Sequence, residues 1–246
     1  MAITLKDHPF AVETYFKTSL VLTYAIPKNE LIHLLPPCLT LDTWKDEWAF
    51  VAVALVDTKK LRPKGFPAFL GNDFILAGYR IFVRYINEEG KRLRGLYILK
   101  SETNKHKMSI LGNLFTHYNY TTTDIVMTKT TERMVVNSNQ SDLDIEVCWD
   151  GESIRLPKGS PFADWKEARR FAGPLPFTFT FNPEFKRVLI IEGVRSQWNP
   201  KPVEVIKHEV GFLKQLGFKD ILLANAFVVE NVPYYWKKGK IEQWEG

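Results

Sequence analysis

Arg94-Gly-Leu-Tyr-Ile-Leu-Lys-Ser-Glu-Thr-Asn-Lys-His-Lys-Met-Ser-Ile-Leu-Gly-Asn-Leu-Phe-Thr-His-Tyr-Asn-Tyr-Thr-Thr-Thr-Asp124 is the stretch on which the fold turns. It opens with a period of two: Leu96, Ile98 and Lys100 alternate with Tyr97, Leu99 and Ser101, which predicts a strand. From about Asn104 to Phe115 the spacing becomes helical, with Met108, Leu111 and Phe115 on one face. The chain then leaves into His117, Tyr118, Asn119 and Tyr120. A strand, a helix and a polar aromatic run in succession build one wall of a pocket.

The preceding segment, Gly78 to Ile86, reads as a strand turned back by Asn87 to Lys91. Tyr79, Ile81, Val83 and Tyr85 share one face; Gly78, Arg80, Phe82 and Arg84 share the other. Further upstream, Thr18 to Ile26 is a strand rich in β-branched residues. A short helix over Asn29 to Leu35 is stopped by Pro36-Pro37. Leu39 to Trp44 and Trp48 to Val56 read as a hairpin, its second arm apolar on both faces. The Pro- and Gly-rich loop from Lys59 to Asn72 is long enough to be a pocket rim.

After Asp124 the rhythm is of hairpins. Ile125 to Lys129 and Arg133 to Asn137 read as strands, and Asp150-Gly151 predicts a turn between Leu143–Trp149 and Glu152–Leu156. Ser160 reads as the N-cap of a helix running to Phe171. Leu175 to Phe181, Arg187 to Gly193, Val203 to His208 and Ile221 to Glu230 read as strands, with a short helix over Gly211 to Leu216. Many short strands with few helices predict an α+β, β-rich fold: a curved antiparallel sheet closing into a barrel-like form, as one domain over residues 1–246.

Composition narrows the partners. Apolar residues make up 45% of the 246 residues and charged ones 25%, an ordinary globular balance. The net charge of +5 is scattered, with Lys237, Lys238 and Lys240 the one basic run, so no nucleic-acid footprint is expected. No apolar run reaches the ~20 residues that span a bilayer, and Met1 to His8 is no signal peptide, so a cytoplasmic protein without a membrane partner is expected. Cys38 and Cys148 read as buried thiols. A homo-oligomer stays open.

The chemistry rests on a polar aromatic cluster. The sequence holds no phosphate loop, no nucleophile elbow and no close His pair, so neither metal nor cofactor is expected. Arg80 sits mid-strand among apolar residues, Lys100 and Glu102 share a face with Ile98, and His117, Tyr118 and Tyr120 follow the helix. These six are the candidate ligand-binding residues. Arg80 needs an anionic partner if buried: either Glu102 or the carboxylate of a ligand. A satisfied Arg–Glu pair with tyrosine hydroxyls capping backbone groups is the structural alternative to a pocket.

Leu35-Pro-Pro-Cys-Leu-Thr-Leu-Asp-Thr-Trp44, Arg62-Pro-Lys-Gly-Phe-Pro67, the strand around Arg80 and Arg94-Gly-Leu-Tyr-Ile-Leu99 together resemble the YqjF-like bacterial family of unknown function. That family belongs to the acetoacetate decarboxylase-like superfamily. The resemblance implies a curved, barrel-like fold with a central cavity. The superfamily's decarboxylases carry Gly-Arg-Glu followed by Gly-Phe-Pro-Lys-Lys, in which one lysine forms a Schiff base and its neighbour lowers its pKa. The matching run here is Gly112 to Thr121. Gly112 falls on the first Gly, Tyr118 on the Phe and Asn119 on the Pro. Tyr120 and Thr121 fall on the two lysines. Neither can form an imine, so the resemblance implies the fold and cavity without the decarboxylase chemistry. Three readings follow: a cavity protein for a small organic anion, an acid–base enzyme using His117 or Tyr120, or an interaction module with a vestigial cavity.

Overall fold

Seven strands close on themselves into a ring in the computed structural model, which describes residues 4–149, 154–173 and 175–246. The elements in order are β1 (Val12–Pro27), α1 (Lys28–Leu31), β2 (Thr40–Leu41), β3 (Trp48–Pro63), β4 (Asn72–Ile86), β5 (Arg92–Thr103), α2 (His106–Phe115), β6 (Tyr120–Thr122), β7 (Val126–Lys129), β8 (Arg133–Ser138), β9 (Leu143–Cys148), α3 (Trp165–Phe171), β10 (Phe177–Asn182), β11 (Arg187–Arg195), β12 (Lys201–Pro202), β13 (Glu204–Val210), α4 (Gly211–Gln215), β14 (Leu222–Trp236) and β15 (Lys240–Gln243). The ring runs β14-β1-β3-β4-β5-β10-β11, and β11 returns to β14 through Gly193↔Trp236 and Arg195↔Tyr234. Closure leaves these strands without a free edge along the ring.

Strand alternation sorts the ring's two faces. Leu20, Leu22, Val51, Val53, Tyr79 and Ile81 point outward into a core shared with Met134, Val136, Ile145 and Val147 of a second sheet, ordered β13-β9-β8-β7. Each such side chain, fully buried, contributes about 1.5–3 kcal/mol of transfer free energy. β3 is apolar on both faces because Ala52, Ala54 and Val56 line the ring's interior while Val51, Val53 and Leu55 join the core shared with the second sheet. A third cluster, Phe50, Phe82, Phe162 and Phe171, packs α3 against the ring.

The structure changes several expectations. The sheet is not wholly antiparallel, since β5 pairs in parallel with β10 and with β6. The Leu39–Trp44 hairpin shrinks to a single Trp44↔Trp48 bridge, and β2 pairs with β4 instead. The Asp150-Gly151 turn lies outside the described residues. Its first arm, β9, pairs with β8 and β13, and Ile154 to Leu156 form no strand. The helix expected from Ser160 begins at Trp165, because Asp164 accepts from the Glu167 amide at 2.7 Å while the Ser160 hydroxyl is spent on the Ala224 carbonyl. Cys38 and Cys148 are half-buried.

Candidate functional site

A single extra residue decides which side chains reach the ring's interior. Between β4 and β5, Tyr79 pairs with Lys100 but Arg80 pairs with Ile98, so Leu99 has no partner and forms a bulge. A slip of one residue sends every later side chain to the opposite face. Ile98 and Ser101 therefore line the interior, while Lys100 and Glu102 turn outward. The Leu99 carbonyl accepts from the Asn119 side-chain amide at 3.3 Å, and Asn119 holds a left-handed φ of 52°. That turn starts β6, which sets Tyr120 beside Ser101.

The interior is a cavity of about 410 Å³, walled largely by apolar side chains such as Phe82, Leu96, Ile98 and Leu111. Met108, Leu111 and Phe115, the predicted helix face, form part of it. Arg80 faces the cavity, makes no hydrogen bond or ion pair among the described residues, and keeps a buried Nε with no acceptor among them. Burial pulls its pKa down, and the nearby phenols of Tyr234, Tyr120 and Tyr118 raise it. A guanidinium stays charged even so. Burial pushes the Tyr120 phenol up to about 12 and raises those of Tyr118 and Tyr234. All three are therefore hydrogen-bond donors at neutral pH, and Tyr118 Oη has no partner.

Glycines make room for this cluster. A Cβ on Gly78 would stand 2.9 Å from Arg80 Nε, one on Gly112 would stand 2.3 Å from the Tyr120 ring, and one on Gly193 would stand 1.8 Å from Tyr234 Oη. The guanidinium and two phenols thus lie directly on bare backbone.

Further polar groups complete the lining. Arg195 stacks on Trp198 at 4.6 Å and on Tyr234 at 5.8 Å, and Trp198 Nε1 is buried without an acceptor. His8 is 7% exposed, with Nε2 unpartnered. Burial lowers its pKa to about 4, so the imidazole is neutral. Its backbone is left-handed, with φ 51°, and its carbonyl accepts from the Gly239 amide at 2.9 Å. Among the described residues, no Asp, Glu or Lys lines the cavity.

Of the six candidates from sequence, Arg80, Tyr118 and Tyr120 meet in the cavity. Lys100 and Glu102 do not. Glu102 is 1% exposed on the outer face, where it pairs with Lys100 at 2.7 Å and accepts from Tyr79 Oη at 2.8 Å and Ser141 Oγ at 3.1 Å. Glu102 is therefore not the partner of Arg80. His117 is also outside the lining; its Nε2 lies 3.7 Å from Asp7. The loop after Lys59 is shorter than expected, since β3 runs to Pro63. Leu61, Arg62, Pro63 and Asn72 line the cavity, whereas Phe66 does not and is 54% exposed. The sequence reading missed His8, Arg195, Trp198 and Tyr234. Gly193 and Arg195 alternate on one strand face, a readable signal; His8 carries none.

Among the described residues, no group of three or more His, Cys, Asp or Glu side chains could hold a metal ion, and no helix is long and apolar enough to cross a membrane. Residues 14–242 match DUF2071, a family described as an uncharacterized conserved protein, and the chain belongs to that family. A search of curated proteins finds no match. Among solved structures, acetoacetate decarboxylase from Legionella pneumophila is similar at TM-score 0.59 and 11% identity, over 95% of this chain and 88% of that one. An acetoacetate decarboxylase-like enzyme from Sphingomonas wittichii RW1 aligns at TM-score 0.57 and 11% identity, over 98% and 95%. The enduracididine biosynthesis enzyme MppR, complexed with pyruvate, aligns at TM-score 0.53 and 11% identity, over 95% and 90%. The acetoacetate decarboxylase-like fold implied by the sequence resemblance is the fold of these neighbours, and the family match extends through the second half of the chain.

Proposed function

We propose that this DUF2071 member binds a small organic anion in the ring's cavity, with Arg80 as the charge that receives it. The observation that carries the reading is an Arg80 guanidinium with no counterion among the described residues, facing a cavity lined by no acidic residue among them. An uncompensated buried charge costs several kcal/mol, which a carboxylate ligand offsets. Tyr118, Tyr120 and Tyr234 add neutral donors, and the apolar walls suit a hydrocarbon body. That MppR is complexed with pyruvate supports the class, since pyruvate is a small carboxylate. A vestigial cavity gains nothing from keeping such a charge, which weighs against the interaction-module reading.

Acid–base enzymology on a carbonyl or carboxylate compound is a second reading, favoured by His8. Its neutral Nε2 stands free at the cavity wall, a role that the sequence pointed to in His117. Tyr120 and Thr121 fall on the two lysines in the resemblance, and a phenol donates a proton but forms no imine.

Thermal shift with butyrate and hexanoate tests the binding reading. Wild type gains melting temperature with rising concentration, because a ligand that binds only the folded state stabilises it by mass action. Arg80→Met keeps its unliganded melting temperature and loses the response. A response unchanged in Arg80→Met sinks the assignment. Following the same mixtures by NMR in D2O reports any exchange at the carbon next to the carboxylate, which the enzyme reading requires.

A further inference from the structure

Three arginines line the cavity, and they are of two kinds. Arg62 is neutralised by Glu13 at 2.6 Å and donates to the Phe66 and Lys60 carbonyls at 2.8 Å. Arg80 and Arg195 have no ion pair and no hydrogen bond among the described residues. Each stands beside a buried donor without an acceptor: Tyr118 Oη near Arg80, and Trp198 Nε1 near Arg195. Tyr234 separates the two. It pairs across the ladder with Arg195, its hydroxyl lies over Gly193, and both guanidiniums act on it electrostatically.

Burying an unpaired guanidinium is costly, and Arg195, half-buried, adds a smaller cost to that of Arg80. A ligand with a single negative charge offsets one of them. Resting on the reading of the cavity as an organic-anion site, we infer that its ligand is a dicarboxylate with an apolar body, one carboxylate held by Arg80 and Tyr118, the other by Arg195 and Trp198. Guanidinium forks match carboxylates in bidentate geometry, and an indole N–H adds one directed bond. The stacking of Arg195 on Trp198 pre-orients its fork, which lowers the ordering cost of binding. A single dianionic head, such as a phosphate monoester, is the competing ligand, with both charges at one end. Phe82, Leu96 and Ile98 on the cavity wall accept a hydrocarbon chain and offer no hydrogen bond from their side chains.

Calorimetric titration of wild type with hexanoate, adipate and butyl phosphate tests this. Adipate and hexanoate share a six-carbon chain and differ in one carboxylate. The expected result is adipate binding at least about tenfold tighter than hexanoate, the worth of one charge-assisted hydrogen-bonded contact. Arg195→Met brings adipate to the affinity of hexanoate while leaving hexanoate unchanged. Arg195→Lys, which keeps the charge and loses the fork, retains part of the preference and guards against a folding defect in the methionine variant. Equal affinities for adipate and hexanoate overturn the dicarboxylate and leave the anion site standing. Butyl phosphate binding more tightly than adipate overturns it in favour of one dianionic head. No binding of any of the three overturns the anion site itself, and this inference with it.

Discussion

β4 and β5 treat charge in opposite ways at the cavity wall and away from it. Away from the cavity every buried carboxylate among the described residues is satisfied. Glu102 is held by Lys100, Tyr79 and Ser141. Asp42, wholly buried, joins Arg84 at 2.5 Å and Arg94 at 2.6 Å. Glu242 on β15 repeats the pattern with Lys240, Tyr85 and the Glu88 amide. At the cavity wall neither Arg80 nor Arg195 across the ring has an ion pair or a hydrogen bond among the described residues. The fold can therefore pair a buried charge wherever that charge serves stability. Where it leaves one unpaired, at the wall of a cavity, the partner is to be sought outside the chain.

The largest effect that could break this contrast is on stability. Glu102→Ala should cost about 3 kcal/mol in urea unfolding, since it orphans the Tyr79 hydroxyl and the Lys100 ammonium together. Arg80→Met should change stability by less than about 1 kcal/mol or raise it, because it removes an uncompensated charge and keeps an apolar stem. An equal loss from both substitutions would show that Arg80 is a structural residue, and the contrast between cavity wall and surroundings would vanish.

The same strands show what the sequence carries and what it hides. Alternation along Gly78 to Arg84 places Arg80 and Phe82 on one face, and the ring keeps them there. The spacing of Met108, Leu111 and Phe115 predicts the helix face that lines the cavity. Lys100 and Glu102 were assigned to the cavity face by continuing the alternation past Leu99, and the bulge reverses it. Its cause lies 20 residues away, in the Asn119 amide that satisfies the Leu99 carbonyl. Local periodicity cannot contain that. The parallel pairing of β5 with β10 is likewise non-local, joining Gly95 to Phe177. His8 reaches the cavity through a left-handed residue clasped by Gly239, near the other end of the chain. Tyr120 came from the polar aromatic run after the helix, and its ring does line the cavity.

A middle-sized effect sharpens the comparison at the glycine seats. Gly112 is inside α2, where alanine is the better helix former by about 1 kcal/mol. A Cβ there overlaps the Tyr120 ring, which is held between the helix and the cavity. Gly112→Ala should therefore lose about 2 kcal/mol by overpacking, against the propensity trend. Gly78→Ala meets only the far end of the Arg80 side chain, which can swing into open cavity, so it should cost less than about 1 kcal/mol. Denaturant midpoints of the two variants decide the point. A stabilised Gly112→Ala would mean that the ring is not seated on the helix.

The smallest effect concerns His8, the neutral base on the unpaired side. Burial lowers its pKa from 6.5 to about 4, so between those values the unfolded chain binds a proton that the folded chain refuses. Stability therefore falls as pH drops through this window, and the loss is complete only below the folded value. From about pH 7 to about pH 5.5 the His8 contribution is about 1 kcal/mol, seen as a lower denaturant midpoint. His117, whose pKa is lowered chiefly by burial and raised in part by Asp7, drifts in the same direction, so the two must be separated. His8→Asn keeps a residue type that accepts left-handed backbone and removes the titration. It should flatten the pH dependence, whereas His117→Asn should leave most of it. The reverse ranking would place the titrating imidazole at the surface beside Asp7. It would remove His8 from the cavity and with it the observation that favours an acid–base role. A bound carboxylate should oppose the acid loss in wild type, because an anion next to a cavity-wall imidazole favours its protonated form. Repeating the pH series in saturating hexanoate should therefore narrow the difference between wild type and His8→Asn.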